Sequence, residues 1–105
     1  MAQERLRLIR AMDTRLIALD VLALPTCPIV APRLDEVATP ETFAQKNMLL
    51  LRNTSVVNFF DLCAISLPLR TANGLSAGLM LVARNGSDRH LLSIAAAVER
   101  LTGEA

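Results

Sequence analysis

One histidine, His90, and one lysine, Lys46, are the side chains in this sequence from which a near-neutral base would be drawn. A Ser–His or Cys–His nucleophilic pair would need His90. That residue falls in the first turn of a predicted helix, where a side chain faces solvent, and Cys27 and Cys63 fall in predicted buried or proline-locked segments. A Ser–Lys pair would need Lys46 beside Ser55, Ser66, Ser76, Ser87 or Ser93, yet no Ser-x-x-Lys spacing exists. Lys46 is expected on an exposed helix face, as a solvated ammonium. A zinc site needs three or four clustered ligands, and the sequence shows no such cluster. Asp35, Glu36, Glu41, Asp61 and Glu99 form no pair spaced for acid–base work, and "RNGSDRH" has one glycine without phosphate-loop spacing. The reading is therefore no catalytic residue, no metal site and no cofactor.

The composition narrows the class further. The chain has 105 residues, a net charge of +1, and is 52% hydrophobic, 20% charged and 3% aromatic. That length allows one domain at most, and the aliphatic content excludes disorder. It exceeds what a small free-standing domain needs, and surplus apolar surface usually meets a partner. Near-zero charge and few aromatics argue against a nucleic-acid surface. Arg5, Arg7, Arg10 and Arg15 are expected to form a solvated helix face. The N-terminal "MAQERLRLIR" is charged where a secretory segment would be apolar, and no apolar run reaches membrane-spanning length. The expectation is a cytoplasmic protein with two free, buried thiols and no membrane contact.

These residues need elements to hold them. Leu6, Ile9, Met12 and Leu16 recur at helical spacing and predict a helix over 3–18. "VLALP" at 21–25 is a short apolar run fitting a buried strand. Pro25, Pro28 and Pro32 predict an ordered, extended loop. Thr39 as N-cap, Pro40 at the first helical position and Glu41 in the first turn begin a helix running to about Arg52. Asn53, Thr54 and Ser55 are expected to break it before a second short helix at "SVVNFF". "CAISLP" (63–68) and "AGLMLVA" (77–83) are strands too close in sequence for a parallel crossover. They should therefore pair antiparallel, with Asn73-Gly74 at the turn and helices on both faces. Ser87 and Asp88 open a last helix with Leu91, Ile94, Ala95, Val98 and Leu101 on one face, and Gly103 stops it.

The segments "DVLALPTCPIVAP" (20–32), "RNTSVVNFFDLCAISLP" (52–68), "GLSAGLMLVAR" (74–84) and "DRHLLSIAAAVE" (88–99) occur in this order. Together they resemble the C-terminal part of the amidase signature family, Ser-Ser-Lys hydrolases of carboxamides. The resemblance implies an α/β fold: three strands of a mixed sheet, two of them antiparallel neighbours, with about four helices, all in one partial domain, 1–105. It implies that the family's lysine and its Gly/Ser-rich segment lie upstream of the matching region, so no catalytic residue carries over. The family often has Gly-x-Pro where this chain has Asp61-Leu62-Cys63, and Leu-Pro-Val-Gly where it has Leu75-Ser76-Ala77-Gly78. In the glutamine-using members a carboxylate holds the substrate's ammonium, and the ungapped match puts Leu51 there. An apolar residue cannot pair an ammonium, so the resemblance implies a more general amide substrate.

Three expectations follow. The first is a scaffold segment of an amidase, inactive alone, whose partner is the rest of the amidase chain. The second is a stand-alone, non-catalytic module that self-associates through exposed sheet edges. An unrelated small α/β binding protein is the third. The first two predict a homo-oligomer for the isolated chain.

Overall fold

A computed structural model describes residues 2–70, 74 and 76–102. The elements are α1 (Ala2–Leu16), β1 (Leu22–Pro25), a 3-10 turn (Leu34–Val37), α2 (Pro40–Phe59), β2 (Cys63–Arg70), β3 (Ser76–Ala83) and α3 (Asp88–Thr102). The strands form one antiparallel sheet in the order β1-β3-β2, with Leu24 and Ser66 both opposite Met80. The strand positions follow the sequence reading to within two residues. Asn73 and Gly103 lie outside the described residues, and Gly74 has a φ of 85°.

β3 is central because it is apolar on both sides. Successive side chains alternate between faces. Leu81 and Ala83, with Leu67 of β2, pack on Leu91 and Ala95 of α3. Met80 and Val82 pack on Val57 of α2, with Leu24 and Leu62 beside them. The expectation that both strands are covered on both faces holds for β3 and fails for β2. In β2, Leu67 is buried while Ala64, Ser66 and Pro68 are exposed. The reason is position: β2 is one of the two outer strands, and α2 reaches the second face at Val57, against Leu24 of β1 and Met80 and Val82 of β3.

The helix count also differs from expectation. Among the described residues three α-helices and one 3-10 turn form, because α2 runs unbroken through residues 53–55. The Asn53 amide is directed away to the Pro25 carbonyl, and the Thr54 hydroxyl donates back to the Leu51 carbonyl. The polar side chains therefore do not compete with the backbone ladder. Thr39 caps α2 by accepting from the Thr42 N–H at 3.2 Å, with Pro40 next. At the other end Arg5 of α1 donates to the carbonyls of Phe59 (3.0 Å) and Asn58 (3.3 Å). Arg5 is thus a cap on α2 rather than part of a purely solvated face. The α1 stripe is covered at its C-terminal end, where Leu16 is buried, while Leu6 is exposed.

The molecule is a slab. Its extents are 43 × 42 × 16 Å and its radius of gyration is 16.0 Å, against about 13 Å for a compact chain of this length. Exposed large apolar residues include Phe43, Met48, Leu51 and Leu101.

Candidate functional site

Where β1 ends, Pro25 stops the strand and the chain turns into the proline-rich loop. The loop closes over the ends of β2 and β3 and over Leu50 of α2, leaving a groove of 430 Å³. Its walls are Pro25, Pro28, Ile29, Val30 and Leu50. Its floor is polar and tightly built. Thr26 Oγ1 and Ser66 Oγ share a hydrogen bond of 2.5 Å, and the Thr26 N–H donates to the Gly78 carbonyl at 3.0 Å. Asn53 Nδ2 donates to the Pro25 carbonyl at 2.7 Å. A Cβ on Gly78 would stand 2.6 Å from Thr26 Oγ1 and 2.8 Å from Ser66 Oγ. Glycine is needed there because two hydroxyls occupy the space. The hydroxyl pair holds two protons. One lies between the oxygens, and the accepting hydroxyl keeps the other for a further acceptor.

Two smaller cavities flank the sheet. One of 130 Å³ lies between the end of α1 and the start of α3, where His90 Nε2 stands 3.2 Å from Asp20 Oδ1. The other, of 250 Å³, lies between α2 and the sheet, among Thr54, Val57, Asn58, Ala64 and Met80.

The residues weighed from sequence do not converge. His90 is exposed, as expected for a first-turn residue, and its partner Asp20 is also exposed. Lys46 is half-buried on α2 rather than fully exposed. Leu51 is exposed on α2, one position from Leu50, and it is Leu50 that lines the groove. Cys27 and Cys63 are free and half-buried, not fully buried. The Cys63 thiol donates toward the carbonyls of Arg84 (3.3 Å) and Ala83 (3.6 Å). Burial, and then the negative charge of Asp88, push its pKa up. Among the described residues no group of three or more His, Cys, Asp or Glu side chains is gathered. Sequence reasoning did not find Thr26, weighed Ser66 only as a partner for Lys46, and took Asn53 only as a helix breaker. Gly78 was the available signal: a glycine inside an apolar strand marks a close approach.

The family model Amidase matches residues 1–92. The 2-amino-5-chloromuconic acid deaminase of Comamonas testosteroni is 40% identical over 86 residues, covering 81% of this chain and 19% of that protein. The indoleacetamide hydrolase of Pseudomonas savastanoi is 34% identical over 85 residues, covering 81% and 18%. The crystal structure of a glutamyl-tRNA(Gln) amidotransferase subunit from Thermotoga maritima matches with a TM-score of 0.74 at 26% identity, covering 93% of this chain and 21% of that one. The chain belongs to the amidase family, and its three-stranded sheet and helices are a segment of the amidase fold. It spans about a fifth of the length of these three relatives.

Proposed function

We propose that this chain is the C-terminal scaffold segment of an amidase-family hydrolase acting on carboxamide C–N bonds, and that it has no hydrolytic activity alone. The observation that carries this reading is the half-covered outer strand: β2 leaves Ala64, Ser66 and Pro68 exposed, in a slab 16 Å thick. A strand open on one face needs a neighbour, and the rest of an amidase chain would supply one. In the complete enzyme a serine, activated by a neighbouring serine and lysine, attacks the carbonyl, and backbone N–H groups hold the oxyanion. The cell compartment expected is the cytoplasm. The resemblance puts Leu51 where glutamine-using members have a carboxylate for the substrate ammonium, and we read this as a more general amide substrate rather than glutamine.

The test has two parts. The intact mass of the product in its own cell, detected through α3, is expected to be several times 11.4 kDa. The protein of that mass should release ammonia from carboxamides, and the 105-residue chain should release none. Turnover by the short chain would overturn the reading. The exposed edge of β2, with Phe43, Met48 and Leu51 uncovered, favours one second reading: a non-catalytic module that self-associates. A native mass near 11.4 kDa with a stable oligomer would select it.

A further inference from the structure

α2 is built for contact along two sides. Leu50, Asn53 and Val57 face inward, to the groove, the Pro25 carbonyl and Met80. On the opposite side Ala44, Met48, Leu51, Ser55 and Phe59 recur at intervals of four, three, four and four residues, and all five are exposed. Such intervals keep side chains on one line of a helix, as in the seam between two packed helices. The solvent side of an ordinary surface helix is charged or polar; here it carries Met48 at 75% exposure and Leu51 at 52%. With Val56 (47%) and Phe59 (41%) the line presents roughly 400 Å² of apolar side chain, within the ~300–600 Å² of the largest patch on a typical monomer. Phe59 is held in place for contact. Phe60 stands edge-on to it at 5.0 Å, and Arg5 lies over its ring at 5.8 Å.

The order of sizes along the line points to the occupant. From Ala44 to Phe59 it runs small, large, large, small, large. A second copy of α2, laid antiparallel about a two-fold axis near Leu51, sets Ala44 of one copy against Phe59 of the other and Met48 against Ser55. Leu51 then meets its own copy at the axis. Each of the other large side chains finds a small one, which is how facing helix surfaces interdigitate. A parallel copy would set Phe59 against Phe59 and leave a gap between the two alanines. Antiparallel pairing also opposes the two helix dipoles. We propose that the 105-residue chain forms a two-fold symmetric dimer through this outer face of α2, in that register. The patch is about half of the ~800 Å² that each partner buries in a standard interface, so the dimer is weak and forms in the micromolar range. Arg52 lies beside the axis and opposes the pairing, since its head meets a like charge and must stay in water. The inference does not rest on the amidase reading, because it concerns the short chain whether or not a longer product exists.

Cysteine cross-linking reads the register, in a chain whose own thiols are removed by Cys27→Ser and Cys63→Ala. Under mild oxidation Leu51→Cys should give a disulfide-linked dimer. Met48→Cys and Ser55→Cys should each give little alone and should cross-link to each other when mixed. Met48→Cys joining its own copy as readily as Leu51→Cys does would mean parallel helices and overturn the register. No cross-link at any of the three positions would overturn the contact. All three residues are exposed, so these changes leave the fold alone. Sedimentation across the micromolar range reads the size pairing. Ala44→Phe should weaken the dimer about tenfold, because two large rings then meet. Adding Phe59→Ala to it should restore the dimer, which a merely damaged fold would not do; no rescue overturns the pairing. Arg52→Ala should tighten the dimer, and a weaker one would place the axis elsewhere. Ala64→Lys, on the open face of β2, should leave it unchanged. Loss of the dimer there would move the contact to the sheet and overturn the proposal, as would a monomer at every concentration. Ammonia release by a longer product bears only on the amidase reading, so the two fail separately.

Discussion

Two single residues show how local geometry constrains this chain. Asp61 holds a φ of 53° after the end of α2. That left-handed conformation suits glycine, which has no Cβ to crowd the carbonyl. The glycine that the resemblance implies at this place would have the same backbone reason. Asp61→Gly should raise stability by about 1 kcal/mol in urea unfolding; the lost contact with Arg5, at 3.6 Å and exposed, offsets little. Gly78→Ala should do the opposite. Its methyl would overlap the Thr26 and Ser66 hydroxyls, and overpacking of this kind costs about 1–3 kcal/mol. The two thiols should separate in alkylation at pH 8, with Cys27 reacting first, because burial and Asp88 hold Cys63 protonated. The same upward shift sets a sign for stability. The unfolded chain loses the Cys63 proton before the folded chain does, so the contribution is complete below the ordinary thiol value of 9.0 and is lost as pH rises past it. Cys63→Ala should flatten that alkaline decline.

At the scale of elements, α1 depends on its two ends. Leu16 is buried at one, and Arg5 caps α2 and stands over the Phe59 ring at 5.8 Å near the other. Arg5→Ala should therefore cost about 1 kcal/mol and speed amide hydrogen exchange in α1 and the last turn of α2, with β3 unaffected. Equal acceleration in β3 would mean that α1 and the sheet open as one unit. α3 sits differently. Leu91, Ile94, Ala95 and Val98 lie against the sheet core, as their apolar spacing required, while Leu101 at the end of the same stripe is exposed rather than packed.

At the scale of the molecule, the slab shape predicts behaviour in solution. An outer strand, β2, open on one face, together with exposed Phe43, Met48 and Leu51 on α2, should drive association of the isolated chain. Light scattering at micromolar concentration should give a mass of at least twice 11.4 kDa. A sharp monomer would mean that the open face tolerates water and would weaken both the scaffold and the self-association readings. Leu51→Asp should reduce association if that face of α2 is the contact.

Periodicity and turn chemistry made most of the elements legible in advance. Apolar spacing marked α1 and α3, Thr39-Pro40 marked the start of α2, and two short apolar runs with a short connection marked the β2–β3 pair, because these signals are local. The continuity of α2 was not legible. Whether Asn53 and Thr54 break a helix depends on where their side chains find partners, and Asn53 finds the Pro25 carbonyl, 28 residues away in sequence. The groove was hidden for the same reason. Thr26, Ser66 and Gly78 lie on three segments with no spacing rule between them, and one antiparallel sheet brings them within hydrogen-bond distance. The sequence alone was enough to assign the elements and the family resemblance, because both are carried by residues in order along the chain. Which hydroxyls meet, and which face stays open, had to wait for the packing, because those properties belong to residues distant in the chain and adjacent in space.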